Sequence, residues 1–90
     1  MKQIQPVQIW YKGQLINAII FNLYVISDNL IDTAIFYYAL YPGSLDELGT
    51  LLSSGNITMS GTDYATYESS LTSNNFAFSW GASQLNLTLI

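Results

Sequence analysis

The chain contains no cysteine, no histidine and no arginine. Without thiols or imidazoles it has no thiolate nucleophile, no imidazole base, no disulfide and no zinc or iron–sulfur ligand set built on those residues. Lys2 and Lys12 are the only cationic side chains, against Asp28, Asp32, Asp46, Glu47, Asp63 and Glu68, for a net charge of −4. Two lysines do not neutralise a track of phosphates, so nucleic acid is not an expected partner. Charged residues of both signs make up only 9% of the chain, where ordinary soluble domains carry about 25%. Long hydrophobic runs are missing too. The longest, Leu15 to Ile26, is broken by Asn17 and Asn22 and falls short of the ~20 apolar residues of a spanning helix. Nor does an apolar core follow Lys2, as it would in a secretory signal. Neither a membrane partner nor a targeting segment is expected.

What fills the chain is neutral. Apolar residues make up 50% and aromatics 14%, and 29 of the 90 residues are Ser, Thr, Asn or Gln. This length suits a single domain over residues 1–90. By the usual size scaling it folds to roughly 5,200 Å² of surface from about 14,500 Å², burying about 64%. Eight charges spread over that surface come to about one per 650 Å². Aromatic and aliphatic residues exceed what so small a core hides, which points to a surface crowded against partners. The alternative is a neutral polar skin tolerated by its surroundings.

Periodicity predicts four strands and then two helices. Val7-Gln8-Ile9-Trp10-Tyr11 alternates and is rich in β-formers, giving a strand over about 6–11, with Lys12-Gly13 as the turn. Leu15 to Ile26 follows as a strand apolar on both faces, as if covered on both sides. Ser27-Asp28-Asn29 supplies turn chemistry. A third strand spans Thr33 to Tyr41, and Pro42-Gly43-Ser44 ends it. Residues 48–60 read as the fourth strand, with Gly55 as a bulge or bend. Ser44 and Glu47 have the spacing of a capping box, so a short helix there competes with that reading. After Gly61 the period changes, with Ser60 or Thr62 as cap, Asp63 in the first turn, and Tyr64, Tyr67 and Leu71 on one stripe. Phe76, Ala77, Trp80 and Gln84 mark one face of a second helix, weakened by Gly81. Leu85 to Ile90 alternates and forms either a final strand or an extended arm. The expected fold is therefore α+β, a four-stranded antiparallel meander with a short C-terminal helical pair. An all-β sandwich is the alternative if the last segments are strands.

No motif points to catalysis. Asp28 and Asp32 share a loop, as do Asp46 and Glu47, but turn and cap roles account for all six acids and no basic partner accompanies them. Asp28, Asn29 and Asp32 offer hard oxygen ligands, yet their spacing is not that of a calcium-binding loop. Asn56-Ile57-Thr58 and Asn86-Leu87-Thr88 match the glycosylation acceptor pattern by composition alone. Neither a metal nor a cofactor is expected. The Tyr37-Tyr38-Tyr41 cluster and Trp10 are the residues best suited to recognition, because tyrosine and tryptophan join a large apolar body to a polar tip. Tyr38 and Phe36 then belong to the core while Tyr37 and Tyr41 face a neighbour. Stacking on a sugar is the other use of such rings.

Several segments resemble small virion proteins of tailed bacteriophages: Pro6-Val7-Gln8-Ile9-Trp10 with Gly13, Ser27-Asp28-Asn29-Leu30, Thr33 to Tyr38, Gly55 to Gly61 with Asp63-Tyr64, and Trp80 to Leu85. The resemblance implies a structural, non-enzymatic role in the virion, with partners among other virion proteins and copies of the same chain, and brings no catalytic residue. On this reading Trp10, Tyr37, Tyr41 and the arm residues Leu85, Leu87 and Leu89 lie in subunit contacts. The alternative is a small module that binds carbohydrate or a host surface.

Overall fold

Lys12 and Gly13 both take positive φ, 48° and 87°, the geometry of a two-residue turn whose twist matches the strands it joins. They link β1 (Lys2–Tyr11) to β2 (Gln14–Asp28) in the computed structural model, which describes residues 1–90. β3 (Thr33–Tyr41) and β4 (Ser53–Ser60) complete an antiparallel sheet in the order β1-β2-β3-β4. Helices α1 (Gly61–Ser69) and α2 (Ser73–Gln84) follow. The fold is thus the α+β meander with a C-terminal helical pair, and not a sandwich. β3 pairs with β2 only from Ile20↔Tyr41 to Asp28↔Ala34. Residues 14–19 and the matching half of β1 therefore stand out as a two-stranded ribbon.

Alternation puts Phe36, Tyr38 and Leu40 of β3 on one side of the sheet, opposite Val25, Leu23 and Phe21 of β2. The helices pack on this side through aromatic rings. Phe78 meets Phe21 edge-on at 5.5 Å between ring centres, and Phe36 contacts both Tyr67 and Trp80 at the same separation. Offset and edge-on pairs of this kind add about 0.5–1.5 kcal/mol beyond the area they bury. Gly81 lets α2 come close: a Cβ there would lie 3.0 Å from a Leu23 methyl and 3.2 Å from the Phe21 ring. Lys2 closes the far edge of this contact, its Nζ donating to Asn75 Oδ1 and sitting 5.8 Å from the Phe78 ring centre.

Several local expectations need correction. β4 begins at Ser53, not at residue 48, and Ser44–Glu47 is not a helix. The Ser44 hydroxyl does accept the Glu47 N–H, but Ser44 N–H donates to Glu47 O and Gly43 N–H to Leu48 O, so the segment closes into a tight loop. Gly43 is required there, since a Cβ would stand 1.9 Å from the Glu47 carbonyl oxygen. Gly55 is no bulge, because the β3–β4 register runs unbroken through it. It is small because the Tyr38 ring lies over it, 2.9 Å from where a Cβ would be. Ser60 does occupy the N-cap of α1, but its hydroxyl makes no capping bond. α1 ends at Ser69, which leaves Leu71 beyond the helix and fully exposed. On α2 the buried set is Ala77, Phe78, Trp80, Gly81 and Ala82, while Gln84 is exposed. β2 is covered on both sides only at its centre, where Ala18, Ile20, Phe21 and Leu23 are buried; Leu15, Tyr24, Val25 and Ile26 are exposed.

Phe78→Ala is expected to cost about 3–5 kcal/mol in chemical denaturation, a large part of a small domain's stability. Leu71→Ser is expected to change stability by no more than about 0.5 kcal/mol. A large loss at Leu71 would mean that the side chain is packed after all.

Candidate interaction surface

The turn from β2 to β3 is built by two side chains. Asn29 Oδ1 accepts the backbone N–H groups of Ile31, Asp32 and Thr33 at 2.9–3.1 Å, and its amide donates to Asp32 Oδ1. Asp28 Oδ1 accepts the Leu30 N–H at 2.8 Å and the hydroxyl of Tyr64 at 2.7 Å, which ties the turn to α1. These are the side-chain-to-backbone bonds that Asx residues make in turns. The left-handed position falls on Leu30, at φ 61°, and not on either Asx residue. Two aliphatic side chains are thereby held out on a braced loop: Leu30 is 77% exposed and Ile31 78%. The acids expected to share this loop do so, and Oδ1 of Asp28 and Oδ1 of Asp32 are engaged in these bonds.

The titration of this loop follows from its hydrogen bonds. The Asn29 amide, and then the Thr33 hydroxyl, hold the Asp32 carboxyl below its usual range by stabilising the anion. Donation to Asp28 stabilises the neutral Tyr64 phenol, and with burial beside a carboxylate its pKa is pushed up to about 12.

The sheet face opposite the helices carries Ile35, Tyr37, Ala39 and Tyr41 of β3, with Asn22 and Tyr24 of β2 and Ser54, Asn56 and Thr58 of β4 in register beside them. Tyr24 and Tyr37 form a cross-strand pair with ring centres 5.2 Å apart. Ile20 and Ala39 are buried, whereas Tyr24 is 49% exposed and Asn56 is exposed, so the face opens toward the β2–β3 turn. A half-open cleft of about 230 Å³ lies at the β2 margin, lined by Leu23, Tyr24, Val25, Phe36, Tyr67 and Ala77 with Ser73 and Asn74 at its side.

The residues singled out from sequence fall in three places. Tyr37 and Tyr41 share the open face and are both half-buried. Trp10, 70% exposed, pairs with Leu15 near the ribbon tip. That pair is nine residues along β2 from the Tyr24↔Tyr37 pair, roughly 30 Å at the rise of a strand. Leu85, Leu87 and Leu89 pack against the chain's own core. The tail bridges Ile4 through Leu89, with Gln5 N–H donating to Thr88 O and Ile90 N–H to Gln3 O, so it lies along its own β1 edge. Tyr24, Val25, Ile26, Leu30 and Ile31 are exposed as well, and the sequence reading does not single them out. A signal for the last two existed in the sequence, since Leu30-Ile31 is an apolar pair inside a turn bracketed by Asp28, Asn29 and Asp32. Comparisons with protein-family models, with curated proteins and with solved structures find no match to this chain.

A folded-state pKa above the unfolded value means that Tyr64 contributes stability in full below about pH 10, and loses it as the pH rises toward 12. Tyr64→Phe is expected to lower Tm at pH 7 by a few degrees and to flatten the fall in Tm over that alkaline window. Identical alkaline profiles for the two proteins would show that the Tyr64–Asp28 bond is not formed in solution.

Proposed function

We propose that the chain is a non-enzymatic structural component of a tailed-bacteriophage virion, working without a cofactor through contacts with copies of itself and with other virion proteins. One observation carries this reading beyond the sequence resemblance. The folded surface of 5484 Å² is shared among eight charged side chains, roughly 690 Å² each, while Trp10, Leu15, Ile26, Leu30 and Ile31 remain mostly exposed. Single exposed apolar residues are ordinary, but two groups of them on a nearly uncharged surface, Trp10 with Leu15 at the ribbon tip and Ile26 with Leu30 and Ile31 at the β2–β3 turn, support contact sites at the two ends. Tyrosine and tryptophan are the residues enriched where such contacts are strongest.

A second reading is supported by the Tyr24–Tyr37 ring pair beside exposed Asn56. Aromatic faces flanked by amides suit a sugar, so a small carbohydrate- or host-surface-binding module is the alternative.

Alanine at both Tyr37 and Tyr41 is expected to weaken self-association at least tenfold, about 1.4 kcal/mol, and to reduce incorporation into particles, as measured by sedimentation and by mass spectrometry of purified virions. Unchanged assembly in a folded double variant would remove these residues from the contact. Absence of the chain from the particles would remove the virion role. Under the same reading, tyrosine and tryptophan fluorescence stays constant on titration with sugars, and a saturable change would favour the carbohydrate alternative.

A further inference from the structure

An exposed sheet edge offers a row of unpaired N–H and C=O groups to any passing strand, and proteins blunt such edges with proline, charge, bulges or a covering segment. The edge stretches of this sheet are treated differently. The first half of the β1 edge carries Pro6, slips register between Gln3 and Val7, and is covered by the tail through Gln3, Ile4 and Gln5. β2 from Asn22 to Asp28 extends past the end of β1 pairing, but its register breaks between Val25 and Ser27 and carboxylates stand at its end, on Asp28 and Asp32. β4 has none of these devices along its eight residues, and the ribbon's open stretches, residues 7–11 of β1 and 14–19 of β2, are shorter. Its eight residues pair with β3 without a slip, from Thr33↔Ser60 to Leu40↔Ser53. Its sequence, Ser-Ser-Gly-Asn-Ile-Thr-Met-Ser, holds neither proline nor charge, and no backbone bond joins its outer side to any other segment.

From this contrast we propose that β4 is a strand-addition edge, and that its occupant is β4 of a second copy, antiparallel across a two-fold axis, joining two four-stranded sheets into one of eight. The inference rests on the reading that the chain works through subunit contacts, and names the edge that makes one of them. The other edge stretches of the chain are bulged, charged, already occupied or shorter, so among copies of this protein β4 offers β4 its longest regular match. A two-fold contact sets the same patch against itself, and like charges facing each other across strands are destabilising. An uncharged strand avoids that repulsion. The edge spans about 26 Å at the rise of a strand. Ser54, Asn56, Thr58 and Ser60 are exposed along it and bring neutral hydrogen-bonding groups to the flank.

The test is sedimentation of the purified chain over a range of concentrations, with amide hydrogen exchange read on β4. The wild-type chain is expected to reach twice its mass of 10.0 kDa, with β4 amides that exchange freely when dilute becoming protected as the dimer forms. Asn56→Lys with Thr58→Lys puts four lysines along the paired edges and is expected to weaken the dimer at least tenfold while leaving the far-ultraviolet circular dichroism unchanged. The exchange measurement on the wild-type chain needs no substitution, so it decides the matter even if the double variant fails to fold. A wild-type chain that stays monomeric at millimolar concentration overturns the proposal. So does an oligomer whose β4 amides still exchange freely and whose mass the lysines do not change, although that second result leaves a subunit-contact role intact through another surface.

Discussion

Two short helices have to cover one side of a four-stranded sheet, and the structure depends on how closely they approach it. The contact is made by rings: Phe78 on Phe21, and Tyr67 and Trp80 on Phe36. Gly81 removes the one side chain that would hold α2 away from Leu23 and Phe21, and Gly55 makes room for the Tyr38 ring on the same side of the sheet. Close packing of this kind supplies dispersion contacts that a looser arrangement would forfeit. A helix that is weak by propensity, interrupted by glycine and rich in serine, is stabilised here by its tertiary contacts.

Cover by the helices on one side leaves the other side partly open, with Ile20 and Ala39 buried there and Tyr24 exposed. The tyrosine face lies opposite the helices, and the β2–β3 turn projects Leu30 and Ile31 from the end of the sheet. Asn29 and Asp28 satisfy the turn's backbone with their own side-chain oxygens, and Tyr64 fastens it to α1. The turn is therefore positioned by the same helix that closes the core. Core and exposed apolar surface are linked through one phenol.

The edges of the sheet follow the same economy of charge. With two lysines in the whole chain, the common way of guarding an edge, a row of charged side chains, is not open to it. The first half of β1 is guarded instead by proline, a bulge and the C-terminal tail, and the upper part of β2 by a bulge and carboxylates. The tail thus completes its own sheet, which sets Leu85, Leu87 and Leu89 against the chain's own core.

The order and type of the six elements were legible in the sequence, with an all-β sandwich left open for the last segments, because alternation with period two gives way to helical spacing at Gly61 and each change is marked by glycine, proline or Asx residues. β3 matches its reading from Thr33 to Tyr41, and the helix starts follow from the same punctuation. The sequence determined the neutral surface as well, since eight charges remain eight however the chain folds. Coverage was decided only in three dimensions. Alternation shows that β2 is apolar on both faces, but its uncovered ends depend on where β3 stops and where the helices lie. Leu71 fits a helical stripe in sequence, and the helix ends before it. Gly55 and Gly81 are read locally as a bulge and a weak point, yet each is small because a residue distant in the chain packs against it. Local pattern records what each segment prefers, whereas exposure depends on neighbours brought together from far along the chain.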